Sequence, residues 1–333
     1  MALNIIKRFN LKITDLFILE KKSQRGLLAV EWIAIAYLLL TLIMMAWQWD
    51  KLVNAEEMIK VRMQIVLITF AAWGLYRLVP CRLTMLLRIG IQMLFLSLWY
   101  PDTYELNRTL PNLDHIFAEY EQTVFGCHPA LLFSQKIPWD WFSELMCMGY
   151  ISYFPLMSVL LLYYFIKRYQ EFQMAAFVML SSFFIYYVIF LFLPVAGPQF
   201  YYLAAGTDQI AAGIFPNIGD WFLTHSERMT APGNADGFFH HLLDSVHNAG
   251  ERPTAAFPSS HVGITTVVIL LSLHTRSRWL TICLLPFYII MCFATVYIYA
   301  HYAVDAIAGL ISGTIFYFML KKVYSSYIEP NSQ

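Results

Sequence analysis

His261 and His301 are the residues of this chain best placed to do chemistry. His261 closes the run Ala-Ala-Phe-Pro-Ser-Ser-His and stands at the mouth of an apolar segment. Ser259 or Ser260 can cap a helix there. A serine-capped helix start offers an anion free N–H groups and the positive end of the helix dipole. His301 opens His-Tyr-Ala-Val-Asp, so Asp305 lies one helical turn beyond it. Such a carboxylate can accept the Nδ1 proton and leave Nε2 as a nucleophile. Taken singly, an ordinary helix cap and a structural ion pair account for the two motifs. Brought to one place, they describe a phosphoryl-transfer site with a nucleophile, its orienter and an anion cradle.

The elements that must position them are membrane spans. The chain has 333 residues, 59% of them hydrophobic and only 13% charged, with a mean hydropathy of +0.56. A soluble domain carries about 25% charged residues. Apolar runs long enough to cross a hydrocarbon core of ~30 Å recur at 27–47, 62–80, 83–100, 143–166, 173–196, 259–274, 279–299 and 303–320. The sequence therefore predicts an all-α, polytopic bundle of about eight transmembrane helices. The sixth is short, and Pro80-Cys81-Arg82 alone separates the second from the third. With both termini cytoplasmic, the inner side receives 15 of the 22 Lys and Arg and the outer side seven, as the positive-inside rule asks. The sixth span then begins, and the seventh ends, at the outer face. His261 and His301 meet there, extracytoplasmically. Asp305 falls just inside the apolar slab, where an ionisable residue needs a partner.

Two long outer loops, 101–142 and 197–258, connect these spans. The first has an amphipathic stretch around Leu113–Tyr120, and the second carries turn signals between short helical pieces. Segments of this length in a compact domain are usually functional. The leader 1–26 is basic and lacks a cleavable-signal pattern; its apolar residues suit a helix lying on the inner surface. Zero net charge gives no footprint for nucleic acid. The five cysteines form no Cys-x-x-Cys pair. His240, His241 and His247 have no Asp, Glu or Cys at ligand spacing, so neither a metal nor another cofactor is expected.

The region from about Leu193 to Gly313 resembles the type 2 phosphatidic acid phosphatase (PAP2) superfamily. Its two motifs, Ala-Ala-Phe-Pro-Ser-Ser-His and Ala-Thr-Val-Tyr-Ile-Tyr-Ala-His-Tyr-Ala-Val-Asp, look most like the inositol phosphorylceramide synthase branch. The resemblance implies that His301 becomes a phosphohistidine, that Asp305 orients it, and that His261 is the general acid. It implies further that Ser259 and Ser260 hold phosphate oxygens. The superfamily also has a Lys and an Arg-Pro in a first motif, and an Arg six residues before the nucleophile. Here Leu193-Pro-Val-Ala-Gly-Pro-Gln199 has no basic residue, and Thr295 occupies the other position. The second absence is shared with the synthase branch. Arg252, seven residues before Ser259, is the best-placed substitute cation. Gln199, Tyr201 and Tyr202 could line a headgroup pocket.

These features divide the chain into a leader 1–26, N-terminal spans with the first loop 27–142, a catalytic membrane domain 143–322 and a tail 323–333. They imply an enzyme acting on membrane lipids at the outer face. The phospholipid donor gives its phospho-headgroup, inositol phosphate-like, to a lipid hydroxyl. With water as acceptor it is a lipid phosphate phosphatase. A non-catalytic transporter is a third class, opposed by the scarcity of charges other than Asp305 within the spans and by the lack of broken helices in matching halves.

Overall fold

The computed structural model describes residues 13–21 and 23–328, in which fourteen α-helices and no strands occur. The expected surface helix of the leader lies, over residues 1–12, outside the described residues, as does the end of the tail from 329. Every expected span coincides with a helix or helix pair. Helices α1 (Ala29–Gln48), α2 (Ala55–Leu78) and α3 (Arg82–Asn107) come first. The first loop folds as α4 (Asp114–Phe125) and α5 (Pro129–Lys136). The next span is a pair, α6 (Asp140–Ile151) and α7 (Tyr153–Lys167), followed by α8 (Phe172–Phe192). The second loop contains α9 (Pro198–Ala205), α10 (Thr207–Ala211) and α11 (Phe238–Gly250). Three closing helices follow: α12 (Ser260–His274), α13 (Arg278–Tyr297) and α14 (Ala303–Val323).

Six of these helices are long and apolar enough to cross a bilayer, and the α6–α7 pair makes a seventh span. The chain is a multi-pass membrane protein. α8 is its central post, buried over most of its length. The α6–α7 span bends by 45°. Pro155, in the first turn of α7, cannot donate to the carbonyl four residues back and its ring clashes there. At the break, Ser152 Oγ donates to the Gly149 carbonyl, at 2.5 Å.

Two charged pairs inside the bundle correct the expectation that Asp305 is nearly alone there. Arg62 donates to both carboxylate oxygens of Asp102, at 2.8 and 2.6 Å. Arg88 donates to both of Glu31, at 2.7 and 2.5 Å. All four side chains are buried. Partnership explains their position, since an unpaired charge there would be expelled. α3 continues through Pro101 to Asn107, past the expected end at residue 100, and Asp102 lies in this extension. The Arg88 pair ties α3 to α1 near one end of the bundle, and the Arg62 pair ties α3 to α2 near the other.

The seam that matters most for the site joins α12 to α14. A Cβ at Gly309 would clash with the Ser259 carbonyl oxygen, and one at Gly313 with that of Gly263. Gly309-x-x-x-Gly313 thus acts as a small-residue notch that lets two backbones touch. That contact sets the start of α12 beside the start of α14.

Candidate active site

At this junction Ser259 serves the backbone on both sides. Its N–H donates to the Asp305 carbonyl (3.0 Å), and its Oγ accepts from Val262 N–H (3.3 Å), capping α12. His301 sits in the turn between α13 and α14, where Tyr299 takes a positive φ of 68°. The His301 N–H donates to the carbonyl of Thr295, the residue six positions earlier, at 2.9 Å.

The imidazole of His301 is oriented chiefly by a backbone group. Nδ1 donates to the Ala256 carbonyl at 2.8 Å, whereas Asp305 Oδ2 is 3.6 Å away. The short bond belongs to Ala256; Asp305, the expected orienter, stays within ion-pair distance, and its Oδ2 accepts from Tyr302 N–H (2.9 Å) at the start of α14. A carbonyl can only accept, so Nδ1 carries the proton and Nε2 keeps its lone pair. That Nε2 faces His261 Nδ1 at 3.4 Å.

Burial lowers the His301 pKa to about 4, with the Ala256 hydrogen bond and the Glu251 carboxylate pulling the other way. Nucleophilic attack needs the unprotonated ring. As pH falls, kcat/KM is therefore expected to hold through pH 5.5 and to collapse only near 4. An ordinary imidazole, at about 6.5, would already be mostly protonated at 5.5. A pH–rate profile of kcat/KM, which reports the free enzyme, checks this; an acid limb at 6.5 contradicts it.

The bent span supplies the seat for His261. Tyr150, just before the bend, stacks on its ring at 4.5 Å between centroids, and Tyr153, just after it, lies at 4.4 Å. His247 of α11 approaches Tyr150 edge-on at 5.6 Å. Burial lowers the His247 pKa to about 3, and its Nε2 has no hydrogen-bond partner among the described residues. His247 is therefore a neutral neighbour of the histidine pair.

Two carboxyl groups of α4 frame the site from the first loop. Asp114 accepts from Ala196 N–H (2.6 Å), Gly197 N–H (2.8 Å) and Tyr302 O–H (3.1 Å). Glu121 accepts from Val304 N–H (3.2 Å), at the start of α14. Burial raises both carboxyl pKa values, that of Glu121 to about 8. Gly197 is required where it stands: its φ is +92°, and a Cβ would meet the Ala300 carbonyl oxygen at 2.7 Å. The Gln199 N–H donates to the Tyr299 carbonyl (2.7 Å), completing a backbone collar around His301.

A third carboxyl group lies inside the collar. Glu251 receives Gln199 Nε2 at 3.2 Å and Tyr100 O–H at 3.5 Å, and its charge acts on His301. Burial raises its pKa, against His301 and Arg228.

His301, His261, Asp305 and Ser259 thus come together. Ser260 opens α12 beside them, half-buried. Gln199 reaches the same space through Glu251. Arg252 does not join the group among the described contacts: its guanidinium donates to the Glu251 carbonyl at 3.0 Å. Tyr201 and Tyr202 are fully buried in the apolar cluster that also holds Ala256, Tyr299 and Tyr302, Tyr202 lying 6.0 Å from Tyr302 between ring centroids, and their hydroxyls bond to the Pro216 carbonyl (2.9 Å) and His128 Nδ1 (3.0 Å). Arg228, held by Asn248 at 3.1 Å, is the cation whose charge reaches both His247 and Glu251. Among the described residues no three His, Cys, Asp or Glu side chains gather as a metal-ligand set. Sequence reading missed Glu251, Asp114, Glu121 and the two tyrosines. The acidic character of the first loop and Pro155 were the available signals.

The sequence model of the PAP2 superfamily matches residues 114–319, more than half of the chain. No curated protein and no solved structure matches it.

Proposed function

The chain belongs to the PAP2 superfamily, a membership that supports a lipid phosphatase or phosphotransferase, and we propose that it transfers a phospho-headgroup between lipids through a phosphohistidine on His301. The observation that carries this reading is the Nδ1 bond to Ala256, which leaves Nε2 as a lone-pair nitrogen beside a second histidine. In the first step Nε2 attacks phosphorus and the bond from phosphorus to the leaving oxygen breaks. His261 gives its proton to that oxygen. In the second step the acceptor hydroxyl returns a proton to His261 and attacks phosphorus, and the P–N bond breaks. Phosphorylated at Nε2 with Nδ1 still protonated, the ring is cationic, and Asp305 at 3.6 Å offsets that charge.

The inositol phosphorylceramide synthase branch is favoured over plain hydrolysis by Thr295, since the missing Arg at that position is shared with that branch. Glu251 and Gln199 add a hydroxyl-binding pair suited to a polyol headgroup. We draw the catalytic unit from α4 onward instead of from 143, because Asp114 and Glu121 bond to the collar and to α14. Purified protein given labelled phospholipid with and without a ceramide or diacylglycerol acceptor tests the reaction. A new headgroup lipid that needs the acceptor supports transfer. Free phosphate from a phosphomonoester, independent of acceptor, makes it a phosphatase.

The cation of the site is expected to be Arg252 or Arg228. With Arg252→Ala we expect KM to rise and kcat to fall about tenfold, with Arg252→Lys recovering part because bidentate geometry is lost. Unchanged kinetics in Arg252→Ala, with a comparable loss in Arg228→Ala, reassigns the role.

We also propose that the site faces away from the cytoplasm, with both termini inside, on the partition of basic residues. A cysteine at the exposed Asn234, in a protein whose Cys127 and Cys283 are serine, should react with an impermeant thiol reagent in intact cells. Reaction only after permeabilisation inverts the orientation.

A further inference from the structure

The end of the bundle remote from the histidines carries a second constructed space. Eighteen residues of α14 separate Ala303 from Lys321, about 27 Å at 1.5 Å per residue. There a cleft of about 840 Å³ opens among residues 20–21 and 23–25, the turn at 168–171, and the last turns of α12 and α14. Spaces of roughly 300–1,000 Å³ are the usual size for small-ligand sites.

The charges around it are unevenly matched. Four basic side chains line the cleft, Lys21, Arg25, Arg168 and Lys321, against two acidic ones, Glu20 and Glu171. Both acids are already engaged. Glu20 accepts from Tyr76 (2.6 Å) and Tyr169 (2.5 Å) hydroxyls. Glu171 accepts from Arg168 Nε (3.1 Å) and from His274 Nε2 (3.0 Å), which leaves His274 Nδ1 to accept from Lys321 Nζ (3.0 Å). Glu171 therefore neutralises Arg168, while Lys321 has a neutral partner. Lys21 and Arg25 form no ion pair among the described residues. Glu20, bonded only to neutral hydroxyls, keeps its charge, so among the described residues the lining holds an excess of two positive charges, in a cleft also lined by Ser23 and Ser325.

We propose that this cleft binds a phosphate-bearing anion, at a site distinct from the His301 centre and on the opposite side of the membrane-spanning bundle. The distance excludes it as a subsite for the reacting group. Basic residues at this end satisfy the orientation rule by themselves, but that rule requires neither a cleft nor acids held in bonds to tyrosine, arginine and histidine. The same chemistry fits the headgroup of an anionic lipid and a free phosphate compound, and two probes separate them.

The test uses the full chain in detergent. Native mass spectrometry after exposure to equal phosphatidylglycerol and phosphatidylcholine measures the lipid arm; a melting-temperature shift with inorganic phosphate, against chloride at equal ionic strength, measures the soluble arm. We expect Lys21→Gln with Arg25→Gln to weaken the preferred anion about 30-fold, each surface cation being worth roughly a factor of five. Both residues are exposed, so the fold should survive; Lys321→Gln is a second, independent variant. His301→Ala should bind the anion like the unaltered protein, so failure of the catalytic reading leaves this one standing. Retention of phosphatidylglycerol alone assigns a lipid headgroup, and a shift with phosphate alone assigns a soluble ligand. Binding of neither probe, or equal binding by the double variant, overturns the proposal.

Discussion

His301→Ala is expected to lower turnover by about 10⁴–10⁶-fold, the scale seen when a covalent nucleophile is removed. The ring has no structural substitute: Nδ1 is fixed by the Ala256 carbonyl, and Nε2 faces His261 with its lone pair. Incubation with donor lipid labelled at phosphorus should give acid-labile, base-stable protein label in the unaltered enzyme and none in the variant. An unchanged melting temperature in the variant separates lost chemistry from lost fold. Full activity in His301→Ala removes the nucleophile assignment. Asp305→Asn should cost less than loss of the ring, because the tautomer is already set by a backbone bond and the carboxylate acts on the later positive charge.

His261→Ala is expected to cost about 10²–10⁴-fold on a lipid ester, the usual range for a general acid. An aryl phosphate whose leaving oxygen is already acidic needs little protonation, so on that substrate the loss should shrink to about tenfold or less. The comparison is needed because Tyr150 and Tyr153 hold the ring by stacking, and truncation also leaves a space between them. That space harms both substrates equally. Equal losses would therefore make His261 a packing or phosphate-holding residue.

The 3.4 Å contact between the histidines adds a requirement. A nucleophile and phosphorus about to react already stand about 3–3.5 Å apart, so phosphorus cannot enter until the rings part. His301 is anchored at Nδ1 and by its backbone N–H. Apart from that contact, the described residues hold the His261 ring by the faces of Tyr150 and Tyr153, so it is the ring that can turn.

Much of this was legible before folding, for identifiable reasons. Hydropathy finds spans because burial in lipid demands continuous apolar runs, and α1–α3, α6–α8 and α12–α14 follow those runs, whereas the helices of the two long loops do not. His301 and Asp305 were legible because their spacing is local. Ala256 was not, since a backbone acceptor has no side-chain signature. Arg62 and Arg88 look like loop charges until Asp102 and Glu31, 40 and 57 residues away, are brought against them. At residues 251 and 252 the demand of a phosphate for positive charge drew attention to the guanidinium. The fold instead turns the neighbouring carboxylate toward His301. Chain direction decides that choice, and composition carries no trace of it.

The shortness of α12 has a kinetic consequence. Its fifteen residues span about 22 Å at 1.5 Å per residue, less than a hydrocarbon core of about 30 Å. In the proposed reaction, His261 and His301 at its outer end then meet their substrate within the outer monolayer. A lipid reaches them by drifting sideways in its own monolayer. The concentration that governs rate is then two-dimensional: molecules of donor per unit of surface. Diluting the vesicles in buffer should leave the rate per enzyme unchanged, whereas diluting the donor with inert lipid should slow it.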